Sequence, residues 1–339
     1  MSNVYFYPIT DYSDKQLINK VTYDMLKIIV EKENVKLEKT TPLKVHFGEK
    51  GNTTFITPDN YSGIKKYLKE NDINTCYIET NVLYKGSRTL TKDHIETAKE
   101  HGFTDLDIVI ADGDTDRAYQ DIEIDGEIFK KCKIGYKFKD YNSYIVLAHF
   151  KGHVAAGFGG SIKQLGMGFA SRGGKLNQHS DEIPIISNKC TSCGTCEQKC
   201  PVNAIKLEKR AIIDKNICIG CASCSTVCPC NAINNSWEDS NFFKKLGEYA
   251  YAAACGKTNI YFNFVFNVTK DCDCMGKSMK AIAPNVGIFA GTDPVAVDTA
   301  SLDKLQEMTN SKIFDSARIT LEHTQKLGLG NIEYKLNNM

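Results

Sequence analysis

Two copies of one cysteine pattern constrain this 339-residue chain more than any other feature. Cys190, Cys193, Cys196 and Cys200 followed by Pro201 form C-x2-C-x2-C-x3-C-P, and Cys218, Cys221, Cys224 and Cys228 followed by Pro229 repeat it 28 residues later. One residue beyond each proline comes Asn-Ala-Ile, at Asn203 to Ile205 and Asn231 to Ile233, so the duplication extends past the sulfurs. Three thiolates from one tight loop cap three corners of a cubane, and the fourth cysteine, set beyond them, reaches the neighbouring cluster. The spacing predicts two [4Fe-4S] clusters with crossed ligand sets: Cys190, Cys193 and Cys196 with Cys228, and Cys218, Cys221 and Cys224 with Cys200. C-x2-C pairs also build zinc ribbons, but this longer spacing with its closing proline does not suit one. Two clusters sharing loops form an electron path; a purely structural role is the alternative.

At these eight positions the segment resembles the two-cluster bacterial ferredoxins, over about 50 residues. The remaining sequence is of another kind. Val4 to Phe6 reads as a strand, and Leu17, Val21, Met25 and Ile28 place an amphipathic helix over 15–30. Strand-like Leu43–Phe47, Cys76–Ile78 and Asp107–Ala111 alternate with helix-like Ile64–Asn71 and Thr91–Glu100, and strand-like Tyr144–His149 follows. Past the cysteines the same rhythm returns: a helix over Glu238–Cys255, strands at Asn259–Phe266 and Val286–Phe289, and a helix starting near Asp293. The expected fold is a mixed-sheet α/β domain interrupted by an α+β two-cluster module. Its first part is residues 1–185, the module 186–237 and its second part 238–339.

Lys and Arg number 42 against 41 Asp and Glu, which removes any net-charge argument for nucleic acid or a membrane surface. No apolar stretch approaches the roughly 20 residues of a membrane helix. The first residues lack the pattern of a signal peptide, and the expected location is the cytoplasm of an organism living with little oxygen.

Residues 152–174 hold eight of the 25 glycines. This segment follows a strand and opens a helix near Ser161, where free backbone N–H groups suit an anion. His149, Lys151, His153, Lys163, Arg172, Lys175 and His179 cluster within 149–179. Two readings stand: a tight turn with satisfied histidines, or a site for a small anionic ligand with His149 and His153 as acid/base groups or metal ligands. It is no Walker A loop, because Leu176 follows Gly174-Lys175 where magnesium needs Ser or Thr. Downstream, Asp271-Cys272-Asp273-Cys274 places two thiols on one side of an extended segment, suited to a soft metal, to redox pairing, or to plain burial. Asp293 and Pro294 read as the cap and first residue of a helix, which leaves Asp298 without a structural excuse. Asp112, Asp114 and Asp116 form an acidic turn or hold a hard cation.

The runs HFKGH, GFGGSIKQLGMG, DCDCMG and GTDPVAVD resemble the domain-of-unknown-function family 362 of iron-sulfur proteins over residues 40–310. Many members of that family carry a ferredoxin insert at this place. The family is also distantly similar in fold to the N-terminal region of nickel-dependent lactate racemases, which implies a ligand crevice and no particular reaction. The combined expectation is an oxidoreductase-like protein, with an unknown redox partner protein, whose clusters exchange electrons with a site lined by His149, Lys151, His153, Lys163, Cys272, Cys274 and Asp298. A non-catalytic electron carrier and a metal-binding or cofactor-maturation protein are the alternatives.

Overall fold

The computed structural model describes residues 1–84, 86–114, 118–179, 183–218, 223–234 and 241–339. Along the chain, strand β1 (Ser2–Pro8) leads to helix α1 (Lys15–Lys32), β2 (Leu43–Lys44), α2 (Ser62–Glu70), β3 (Tyr77–Glu79), α3 (Thr91–Glu100) and β4 (Ile108–Ile110). A hairpin, β5 (Tyr119–Glu123) and β6 (Lys131–Gly135), precedes β7 (Ser143–His149) and a small ribbon of β8 (Lys151–His153) and β9 (Gly157–Gly159). Helices α4 (Ser161–Gly166) and α5 (Arg172–His179) follow. The cysteine-rich segment holds β10 (Ile185–Ile186), α6 (Thr195–Lys199), β11 (Ile205–Leu207), β12 (Ala211–Ile213), α7 (Ser223–Thr226) and β13 (Ile233–Asn234). The chain ends with α8 (Phe242–Ala254), β14 (Thr258–Val265), β15 (Gly287–Gly291), α9 (Pro294–Thr309), α10 (Arg318–Lys326) and β16 (Tyr334–Asn338).

The central sheet has eight strands in the order β16-β1-β15-β14-β7-β2-β3-β4. It is mixed: β15 runs antiparallel to both β1 and β14, while every other neighbouring pair is parallel. Burial on both faces explains why β7 and β14 read as unbroken apolar runs rather than as alternation. Every residue of β7 is buried, and of β14 only Thr258 is not. Helix α1 forms where Asp14 accepts the Leu17 amide at 2.9 Å and Ile18, Val21, Met25, Leu26 and Ile29 fall on one face.

The parallel neighbours β7 and β14 are joined by the whole stretch from His149 to Thr258, so the glycine-rich and cysteine-rich segments both leave the sheet from its middle. The β5–β6 hairpin, α10 and β16 carry no strong periodicity in the sequence and emerge only in the fold. Strand β16 is half-exposed at the sheet edge beside β1, where it needs no continuous apolar face. Strand-like 43–47 shortens to Leu43–Lys44, with the Val45 amide still donating to the Ile78 carbonyl at 3.4 Å. The helix expected from 238 starts at Phe242; residues 235–240 lie outside the described ones.

Candidate functional site

The segment after β14 carries the two thiols back to the glycine-rich ribbon. The Gly152 amide donates to the Thr269 carbonyl at 2.8 Å, and a Cβ on Gly152 would fall 2.0 Å from the Lys270 carbonyl oxygen. Only glycine permits that approach. From there Cys272–Met275 forms a turn, with the Met275 amide donating to the Cys272 carbonyl at 2.9 Å. The sulfurs therefore meet across a turn and not along one side of an extended segment, because Asp273 between them is anchored. Its carboxylate accepts from His149 Nδ1 at 2.7 Å, Lys151 Nζ at 3.2 Å and Thr54 Oγ1 at 3.0 Å, and its carbonyl accepts the Glu49 amide at 2.9 Å. Burial alone would push the pKa of this fully buried group up, but His149 and Lys151 hold it well below the usual carboxylate range.

His149 also donates from Nε2 to the Phe266 carbonyl at 2.7 Å. Both ring nitrogens are engaged, so His149 positions the Asp273 turn and offers no lone pair to a metal or a substrate proton. Asp298 is likewise occupied. It reaches from α9 to accept the Ser161 and Ile162 amides at 2.7 and 2.9 Å and the Asn263 side chain at 2.8 Å. The helix N-terminus that suited an external anion thus holds an internal one, and a Cβ on Gly160 would sit 2.4 Å from that carboxylate. Burial lifts the Asp298 carboxyl to about 6.

Cys272, Cys274 and His153 converge, with one ligand atom from each within 4.8 Å of the others, close enough to share a metal ion. Lys163 Nζ stands 3.7 Å from the Cys272 sulfur. Its hydrogen bond with Cys274 takes the Cys272 thiol well below its ordinary range against the opposing effect of burial, with Lys163 and Lys151 adding to the shift. The same contact pushes Cys274 up. Cys272 is thus the more acidic of the two sulfurs. His153 accepts the Ala155 and Ala156 amides at Nδ1, both at 3.1 Å, and burial with the nearby Lys163 and Lys151 keeps the ring neutral.

Cys274, His153 and Lys163 open on a cavity of about 580 Å³. Its walls include Lys50, Arg88, Lys175 and Lys277 but only two carboxylates, Glu49 and Glu79. Glu49 is taken by Ser87, whose amide donates at 2.8 Å, and by Arg88 Nε at 3.4 Å; Glu79 pairs with the fully buried Lys44 at 2.8 Å. Burial lowers Lys44 to about 8 despite Glu79. Lys50 in turn pairs with Glu100 at 2.9 Å, and the described lining still carries more cations than carboxylates, which suits an anion. Lys199 and Val227 of the cysteine-rich segment complete the wall, each one residue before a motif cysteine.

Within that segment, Cys190, Cys193 and Cys196 line a second, small cavity together with Cys228 from the other repeat. The Ala204 amide donates to the Cys200 sulfur at 3.2 Å and the Ala232 amide to the Cys228 sulfur, also at 3.2 Å. Asn203 and Asn231, with φ of 54° and 48°, make the matching left-handed turns that aim these amides back. The duplicated Asn-Ala-Ile is thus a duplicated amide-to-sulfur contact followed by a strand. Cys218 and Cys224 are described; Cys221 lies outside the described residues.

Asp112 and Asp114 accept the Asn81 and Thr91 amides at 2.9 and 2.5 Å, as an acidic turn does; Asp116 lies outside the described residues. Sequence reasoning missed Glu49, Arg88, Lys44 and Glu79. The one available signal was Gly48 and Gly51, whose φ of +76° and +88° shape the loop that presents Glu49.

The family described as domain of unknown function (DUF362) matches residues 42–303. No curated protein sequence matches the chain. Among solved structures, a protein from Thermotoga maritima is similar at 9% identity and a TM-score of 0.45, over 88% of this chain and 59% of that one. The lactate racemase apoprotein from Thermoanaerobacterium thermosaccharolyticum is similar at 13% identity and a TM-score of 0.37, over 85% of this chain and 53% of that one. The chain spans little more than half the length of either protein. No helix among the described residues is long and apolar enough to cross a membrane.

Proposed function

We propose a redox function for this chain, which belongs to the DUF362 family: a two-cluster iron-sulfur protein that exchanges electrons with a small anionic ligand in the cationic cavity. The observation that carries the reading is the shared wall. One cavity is bounded by Lys163, His153 and Cys274 of the α/β body and by Lys199 and Val227, the chain neighbours of Cys200 and Cys228.

In this reading residues 186–237 form the inserted module. Cys190, Cys193, Cys196 and Cys228 hold one [4Fe-4S] cluster, and Cys218, Cys221, Cys224 and Cys200 hold the other. The fit rests on four sulfurs of the first set lining one cavity and on backbone amides donating to Cys200, Cys228 and, at 3.5 Å, Cys190. Such bonds offset the negative charge of bridging and terminal sulfur and favour the reduced form. A bound cluster of this type takes up and releases one electron at a time. Lys50, Arg88, Lys175 and Lys277 draw in and orient an anion, while Lys163 and His153 flank the thiols that meet it.

A non-catalytic carrier would have no use for an open cavity of about 580 Å³ lined by cations. The convergence of His153, Cys272 and Cys274 supports metal handling as the second reading. Anaerobic purification followed by iron and sulfide analysis and electron paramagnetic resonance of the dithionite-reduced protein tests the first. About eight irons per chain and signals of two interacting clusters are expected. Colourless protein, or zinc in place of iron, overturns it. Elemental analysis showing a stoichiometric metal besides iron favours the second reading.

A further inference from the structure

We infer that Cys272 and Cys274 are a redox-active dithiol whose disulfide forms and opens at the cavity wall, the electrons passing singly to the two clusters proposed above. The inference rests on that functional reading for its electron partner and on the geometry of the turn for everything else.

The two sulfurs lie within 4.8 Å of one another, the intervening Asp273 being pinned away from them by His149, Lys151 and Thr54. Disulfide closure needs little more than rotation about the side-chain bonds when the backbone already presents both thiols together. Cys274 lines the cavity, and Cys272, 3% exposed, lies behind it. The surroundings fit a thiolate better than a metal. Lys163 contacts Cys272 at 3.7 Å, and Lys151, paired with Asp273 at 3.2 Å, adds a second amine, so the turn already supplies a cation to a thiolate. His153 is neutral with Nδ1 already accepting two amides, so its proton sits on Nε2 and no lone pair is free without breaking those bonds. Cys132 shows the contrast. It is fully buried in the apolar core without a cation beside it, and burial pushes its thiol far up, the mark of an inert sulfur.

The stoichiometry matches. Closing the Cys272–Cys274 bond releases two electrons and two thiol protons, the protons passing to cavity water; the two proposed clusters, when bound, would each supply a one-electron acceptor. Opening the bond consumes two electrons and two protons in reverse. Lys199 and Val227 place the module's Cys200 and Cys228 loops against the same cavity.

The test uses the full-length, anaerobically purified protein equilibrated in dithiol/disulfide buffers of graded potential, then quenched with iodoacetamide and digested with trypsin. Cleavage after Lys270 and Lys277 yields one peptide, Asp271 to Lys277, with both thiols and no other cysteine. The expected result is a doubly alkylated peptide under reducing buffers. It gives way, in one reversible two-electron transition, to an unlabelled peptide lighter by two hydrogens. Lys163→Met should move that transition roughly tenfold towards disulfide in the same buffer, because it removes the charge that stabilises the reduced form. Double alkylation at every potential overturns the inference. So does protection of both thiols in the reduced protein by one equivalent of Zn(II), Ni(II) or Cu(I), which would make them metal ligands. Iron analysis of the same sample separates the two proposals: iron-free protein that keeps the two-electron transition retires the clusters and retains the dithiol.

Discussion

Among its described residues the cysteine-rich segment buries a small apolar set, Cys196, Ile205, Ala211, Cys224 and Ile233 with Ala204 and Ala232, under strands of two or three residues. The sheet body packs two large apolar clusters, one on Phe138, Tyr144, Phe150, Phe169 and Tyr249, the other on Met25, Phe47, Tyr61, Tyr77 and Phe264. An apolar core as small as that of the first region does not offset the entropy of ordering about 50 residues, whereas the second region needs no help. The difference teaches that apolar burial and a few internal charges suffice for the sheet body, while the proposed clusters would have to supply the stability that the cysteine-rich segment lacks.

The largest expected effect breaks the two apart. Removing iron with a chelator, or substituting Cys196→Ser, should abolish amide protection across 186–234 while β7 and β14 keep theirs, as read by hydrogen exchange. Uniform loss of protection would mean that the two regions fold as one unit. Next, Asp273→Ala should destabilise the sheet body by about 3–5 kcal/mol, because it strands the buried His149 and Lys151 without their shared acceptor. Calorimetry checks that figure, and unchanged iron content shows that the damage stays on one side of the comparison.

A smaller effect is pH-dependent. Burial lifts the Asp298 carboxyl from 3.8 to about 6, so ionisation costs more in the folded than in the unfolded chain. Its contribution is fully present below pH 3.8 and is lost as pH rises through about 6. The stability of the protein relative to an Asp298→Asn variant should therefore fall over that interval by on the order of 3 kcal/mol. A flat difference would show that the three donors around Asp298 already offset its desolvation. Smallest of all, Lys20→Ala removes an exposed pairing with Asp24 on α1 and should leave the thermal midpoint unchanged.

The order of strands and helices through Ile110 was legible because α1 and α2 repeat apolar residues at helical spacing and short apolar runs stand between the helices. The duplicated cysteine motif was legible because its spacing is local; of the two ligand sets expected from it, Cys190, Cys193, Cys196 and Cys228 line one small cavity, and the other set remains an expectation. Other assignments failed where a distant segment intervened. The anion expected at Ser161 is Asp298, 137 residues away in the chain. For His149, read either as a satisfied group or as a ligand or acid/base group, the structure engages both nitrogens with Asp273 and Phe266, 124 and 117 residues away. Arg88 looked like any loop arginine, yet it is 1% exposed beside Glu49.

By itself, then, the sequence determined the duplicated sulfur loops, the α/β alternation and the presence of a CxC pair next to a glycine-rich run, since each depends on neighbours within a few residues. Only the tertiary structure decided that the CxC turn, Lys163 and His153 meet at a cationic cavity closed by Lys199 and Val227. That decision rests on β14 pairing with β7 across more than a hundred residues of intervening chain, and the free energy of burying both strands, absent from any local pattern, selects it.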